Sequence, residues 1–188
     1  MIPSEGEALA LHKKYGSSER IVTHCRAVAR VAAVIADEFE RLGKPVDSRV
    51  VLAGALLHDI GRARVQTVRH GLEGSEMLRK DEVDDKVVEV VRKHVGAGIS
   101  PDEARTLGLP DLDYVPRTLE EKIVCFADKM VDSDVVRPFD AEVRRFVKKG
   151  HDVERLLGLK RDVGYALGTD PEILVLRKIN QTVEGAAT

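Results

Sequence analysis

An unbroken apolar run from Val50 to Leu57 leads straight into His58 and Asp59. A helix that carries Val51, Leu52, Ala55 and Leu56 inward delivers an imidazole and a carboxylate to the end of its buried face. Asp59 also falls near the helix C-terminus, just before Gly61 in the C-cap position, where the macrodipole disfavours an anion. Positive charge is required there, because buried charges are paired or coordinate metals. Two arrangements supply it. Either a metal ion is held by the neighbouring His and Asp, or His58 caps helix carbonyls while Asp59 pairs with Arg62 or Arg64.

The surrounding periodicity is helical almost throughout, so the expected fold class is all-α, a compact bundle of about seven to ten helices. Ser4 caps a first helix that stops at Gly16. A long second helix starts at Ser17 or Ser18 and runs to about Leu42, before Gly43 and Pro45. Its inward stripe reads Ile21, His24, Val28, Val31, Ile35, so a histidine interrupts an apolar face. Asp47 caps the helix that delivers His58 and Asp59. Residues 60–71, with Arg62, Arg64, Arg69 and His70, read as a loop at the mouth of a site, followed by a short helix over 73–80. Asp84 or Asp85 opens a helix with Val87, Val90, Val91 and His94 on one face. Ser100 and Glu103, then Thr118 and Glu121, form two capping boxes. The helix opened by Thr118 buries Ile123, Val124, Ala127 and Val131, and Asp128 lies on that side. Short helices over 139–149, 151–158 and 160–167 precede a last one capped by Asp170, and no convincing strand pattern is present. The chain reads as a single domain over 1–188, with a core at about 17–131 and a helical appendage at about 133–188.

Composition narrows the class further. A chain of 188 residues buries enough surface to need no disulfide, and Cys25 and Cys125 read as buried free thiols of a reducing compartment. No apolar run approaches a membrane span, so a soluble cytoplasmic protein is expected. A net charge of −2 and the lack of Trp argue against general nucleic-acid binding. The 33% charged fraction, with only Asn180, Gln66 and Gln181 as amides, resembles proteins from hot habitats.

The polar exceptions to the apolar pattern are His24, His58, Asp59, His70, His94 and Asp128. One such group can be an accident of packing. Five of them, His24, His58, Asp59, His94 and Asp128, converge on a helical core and require a shared partner. Mixed imidazole and carboxylate donors suit Mn, Fe, Co, Ni or Zn better than Ca, which prefers oxygen shells. A divalent transition metal is therefore the expected cofactor.

The order His, His-Asp, distant Asp on a helical scaffold resembles the HD-domain superfamily of metal-dependent phosphohydrolases. His58-Asp59-Ile60-Gly61 spells its HDIG variant, and Phe126-Ala127-Asp128-Lys129 looks like the motif that supplies its last ligand. The resemblance covers about Ser17 to Val131 and implies that His24, His58, Asp59 and Asp128 bind one metal. His70 and His94 resemble the extra histidines of two-metal members, in which the Asp of the His-Asp pair bridges the ions. Members with one metal use nearby histidines as phosphate contacts, so either count stays open. The Gly-Tyr-Pro motif of the cyclic-di-GMP branch is absent.

The activity this implies is hydrolysis of a phosphate ester or anhydride in a nucleotide-like small molecule, by attack of a metal-bound hydroxide. Arg62 and Lys129 are candidates to neutralise the transferring phosphoryl group, and His94 or His70, if not a ligand, to protonate the leaving oxygen. Two other classes stay open: a di-iron oxygenase of the same fold, and a nucleotide-sensing module without turnover. The last helix can pack on the core or on a second copy, so a homodimer is possible in principle. The segment after Val131 can cover the site or make that dimer, and His151 reads as a turn residue at the start of a short helix.

Overall fold

The structure, a computed structural model, describes residues 1–185. Ten α-helices occur among the described residues: α1 Glu5–Tyr15, α2 Glu19–Arg41, α3 Ser48–Leu57, α4 His70–Lys80, α5 Asp85–Lys93, α6 Pro101–Thr106, α7 Leu119–Lys129, α8 Phe139–Lys148, α9 Glu154–Leu167 and α10 Pro171–Gly185. Their starts follow local chemistry. Ser4, Ser100 and Thr118 each make a reciprocal capping box with the glutamate three residues on, which satisfies two orphan backbone donors at once. Asp47 and Asp84 cap α3 and α5 through their carboxylates. Gly16 closes α1 in the left-handed conformation, as its position predicts.

Five helices enclose most of the core. α2 packs on α3 and α7, α3 packs also on α5, and α4 lies on α5. Phe39, Ile35, Leu56, Leu57, Ile123 and Phe126 are fully buried between them. Each such side chain contributes roughly 1.5–3 kcal/mol on burial. Phe139 extends the core toward the C-terminal helices by stacking on Phe126, with ring centroids 5.0 Å apart. Cys25 and Cys125 are buried and free.

The structure departs from the sequence expectations at five places. Residues 60–71 are not a simple loop: Ile60–Ala63 forms a 3₁₀ turn, and α4 already begins at His70. Gly61 lies inside that turn and does not cap α3, which ends at Leu57. Leu52 points outward and is 36% exposed, because the buried face of α3 is set by Val51, Ala55 and the residues flanking them. The two short helices expected on either side of Leu159 are one continuous α9. Glycine in a helix interior costs about 1 kcal/mol. Burial of Leu156, Leu159, Val163 and Leu167 on one face offsets the cost at Gly158. Finally, Val131–Asp132 and Val135–Val136 pair as a two-residue antiparallel hairpin, with Ser133 at φ 60°. Strands that short carry no alternation to read.

α6 and α9 are tied by the Arg155 Nη2 to Glu103 Oε1 ion pair, 2.5 Å long. This pair, ahead of the burial that opposes it and the Ser100 bonds that assist it, holds the Glu103 carboxyl at about 2. A depressed carboxyl stabilises the fold fully above its unfolded value, 4.5, and the contribution disappears as pH falls toward 2. Both partners are about a third or more exposed, so solvent screening limits the effect. Arg155→Ala is expected to lower stability at pH 7 by less than about 1 kcal/mol. The difference from wild type should vanish in urea titrations run at progressively lower pH through that window.

Candidate metal centre

Six side chains from five segments meet at the inner end of one cleft. α2 supplies His24; His58 and Asp59 follow α3; His70 opens α4; His94 follows α5; Asp128 comes from the last turn of α7. All the candidate ligands expected from the sequence are therefore brought together. His58, Asp59, His70 and His94 are buried, while the His24 side chain is 16% exposed to the cleft.

The four histidines share one orientation. Each uses Nδ1 on a backbone carbonyl: His24 on Ser133 at 2.7 Å, His58 on Ala55 at 2.8 Å, His70 on Thr67 at 2.7 Å and His94 on Val91 at 2.7 Å. A carbonyl only accepts, so Nδ1 must carry the proton in all four. In a neutral ring the other nitrogen is then bare. Each Nε2 points at a carboxylate, and the pattern matches the outer hydrogen bonds that orient metal-bound imidazoles.

The Nε2 atoms form two nests joined by Asp59. Asp59 Oδ1 lies 3.1 Å from His70 Nε2 and 3.3 Å from His94 Nε2, and those two nitrogens are 3.0 Å apart. Asp59 Oδ2 lies 4.0 Å from His24 Nε2 and 3.9 Å from His58 Nε2. Asp128 Oδ1 faces the same two histidines at 3.1 and 3.6 Å. Groups of acceptors this close and this dry repel one another unless a cation or shared protons lie between them. His58 Nε2 and Asp59 Oδ1 are buried without a hydrogen-bond partner. These orphaned atoms and the mixed donor set suit a divalent metal.

Against burial, Asp128 raises His24, and Cys25 with Asp59 and Asp128 raises His58 well above the ordinary imidazole value, a proton whose place a divalent ion would take. Burial pushes the Asp59 carboxyl up, but the imidazoles of His58, His70 and His94 around it favour its ionised form and hold it well below the usual carboxylate range. Asp128, also opposed by burial, is held low by Lys129, His24 and His58. Burial drives His94 down to about 4, against the pull of Asp59, so it is neutral at pH 7, as a ligand must be.

Elements of the alternative reading coexist with this arrangement. His58 does cap a helix carbonyl through Nδ1, and Arg62 Nε donates to Asp59 Oδ2 at 2.6 Å. Arg64 pairs instead with Glu73, and Arg69 reaches the Gly108 carbonyl. Lys129 is largely buried against Asp128. His151 does not start a helix: it precedes α9 and lines the cleft. The cleft has a volume of about 1100 Å³, and residues beyond Val131 form part of its wall. They cover the site, which the sequence left undecided.

Two participants were missed. The Ser133 carbonyl, on the hairpin turn, anchors His24 across 109 residues of chain, and no side-chain signal marks a backbone oxygen. His12 is buried and bridges the Ser17 hydroxyl to the Leu56 carbonyl, 2.8 and 2.7 Å away, which steadies the end of α3 just before His58. Its signal was a histidine in the last turn of α1, where a basic residue is unremarkable.

Comparison with known proteins follows this geometry. The family model for the HD domain matches residues 21–131. A tRNA (cytidine(56)-2'-O)-methyltransferase of Thermoplasma volcanium is 40% identical over 172 residues, 90% of this chain and 49% of that protein. An uncharacterised protein of Methanocaldococcus jannaschii is 40% identical over 154 residues, 80% of this chain and 91% of the relative. The chain thus spans about half the length of the methyltransferase it matches and nearly all of the second relative. Among solved structures, the HD domain of the L. monocytogenes phosphodiesterase PgpH superposes with a TM-score of 0.55 at 16% identity, covering 95% of this chain and 99% of that one. That likeness extends the shared fold over the C-terminal helices. With a family match over more than half its length, laid on the very residues that form the two nests, this chain belongs to the HD domain family.

Proposed function

We propose that the chain is a metal-dependent phosphohydrolase acting on a phosphate ester or anhydride of a nucleotide-like molecule, with two divalent ions held side by side. One observation carries the reading: four histidines locked by Nδ1 hydrogen bonds present bare Nε2 atoms to two carboxylates, and Asp59 belongs to both groups. His24, His58, Asp59 and Asp128 would hold one ion, and Asp59, His70 and His94 the other. A divalent ion there supplies Lewis-acid polarisation of a phosphoryl oxygen and an acidified water. The chain's own residues do the rest. Asp59 sets the spacing of the two groups, the Nδ1 anchors keep the rings from turning, and Lys129 holds the second oxygen of Asp128. Arg62, fixed by Asp59, lines the cleft wall with further N–H groups available to a phosphoryl oxygen.

The methyltransferase relatives favour a second reading, in which the chain works on or beside RNA. An all-helical bundle with a His/Asp centre supports hydrolysis over methyl transfer as the chemistry of this segment. Turnover of nucleotides against that of tRNA, measured with Mn, Co, Ni, Zn and Fe in turn, separates the substrates.

The metal count tests the site directly. Elemental analysis of purified protein should give near two transition-metal ions per chain, falling toward one in His70→Ala and in His94→Ala. Near one ion per chain, unchanged in both variants, would overturn the dinuclear arrangement and assign those histidines to substrate. Two irons with a visible absorption band and no phosphate release would point to oxygen chemistry instead.

A further inference from the structure

The cations of the cleft divide into two sets. Arg62, Lys129, Arg145 and Arg155 each face a carboxylate, on Asp59, Asp128, Glu142 and Glu103. Arg20 and Lys149 line the same cleft, and among the described residues neither has an ion pair or hydrogen bond from its side chain.

Arg20 stands in the first turn of α2, where the macrodipole disfavours a cation. It lies four residues before His24, so the two share a helix face with Cβ atoms about 5–6 Å apart. Lys149 and His151 flank Gly150, whose φ of +70° turns the chain sharply after α8. The turn is closed by backbone bonds from Gly150 to Val147 and from His151 to Phe146, 3.0 Å each, and the His151 ring packs edge-on against Phe146 at 5.6 Å. These contacts hold both residues on the cleft wall. A cleft of about 1100 Å³ is at the upper end of small-molecule sites and exceeds what one phosphate group at the inner end would fill.

We infer that Arg20, Lys149 and His151, on the wall of the cleft that holds the His/Asp centre, bind a second phosphate group, so that the substrate is a nucleotide-like molecule with two or more phosphates. The inference rests on the phosphohydrolase reading for what happens at the inner end, but the subsite itself is a matter of binding. Arginine and lysine side chains that are not engaged by carboxylates are free to recognise a phosphate other than the one attacked.

The test uses the full chain with its metals and two probes, inorganic tripolyphosphate and orthophosphate, in titration calorimetry. Wild type should bind tripolyphosphate more tightly than orthophosphate. In the Arg20→Gln/Lys149→Gln double variant, loss of two charged contacts should weaken tripolyphosphate at least about tenfold, while orthophosphate changes by less than about twofold. Metal content per chain and the helical circular-dichroism signal should stay at wild-type values, because both side chains are exposed and unpaired. His151→Gln should give a smaller loss in the same direction. Equal affinity for the two probes in wild type, or unchanged tripolyphosphate affinity in the double variant, would overturn the subsite. Preferred binding of tripolyphosphate without turnover of any phosphorylated compound would instead sink the phosphohydrolase reading and leave the subsite standing.

Discussion

Replacing Asp59 by Ala is expected to abolish metal-dependent turnover, by more than about 10³-fold, and to leave the purified chain nearly free of transition metal. The reason is geometric. Asp59 alone contributes an oxygen to each nest, one 3.1 Å from His70 Nε2 and the other 3.9 Å from His58 Nε2. Removing a histidine costs one group a ligand, whereas removing Asp59 costs both groups a ligand and the charge that balances two dications. The fold should survive, because the four imidazoles keep their carbonyl anchors and the Arg62 side chain is already 33% exposed. Elemental analysis, circular dichroism and a nucleotide hydrolysis assay on the same preparation check the expectation. A folded variant that retained activity with its natural metal would overturn the assignment of this carboxylate.

Gly61→Ala should be the most damaging small substitution in the chain. A Cβ there would lie 2.0 Å from the His70 carbonyl oxygen, 2.6 Å from the Gly74 nitrogen and 3.0 Å from the Gly74 Cα. These are backbone atoms of α4, which cannot swing aside as a side chain does. α4 must therefore shift as a body. The expected loss of stability is about 3 kcal/mol or more, at the upper end of overpacking effects. The first residue of α4 is His70, so the shift should also empty the His70/His94 group while His24, His58 and Asp128 keep theirs. Urea unfolding and metal content measured together give the readout. A variant as stable as wild type, with its full metal complement, would show that the close approach does not constrain α4.

That glycine illustrates the limit of reading the chain alone. Beside His58-Asp59 and after an apolar helix, Gly61 looks like a helix stop, because local rules link glycine to C-caps. Its actual constraint is an approach by residues 70–74, which sequence spacing does not encode. In sequence His70 reads as a loop residue for the same reason: no serine, threonine or aspartate marks the start of α4, and its preceding residue Arg69 makes no side-chain cap.

Most helix boundaries, the all-helical class and the identity of the six side chains in the centre were legible in the sequence, since each rests on short-range physics. Apolar periodicity fixes a buried face, capping boxes fix a start, and a charged residue on that face announces that a partner must exist. Only the tertiary structure decided how those side chains are used. The Nδ1 anchors, the sharing of Asp59 between two groups, the Ser133 hairpin behind His24, the pairing of Arg62 with Asp59 and the wall built by residues beyond Val131 all depend on contacts between distant segments. The energy that sets them comes from packing five helices around one core, and that packing is a property of the whole chain that no local window contains.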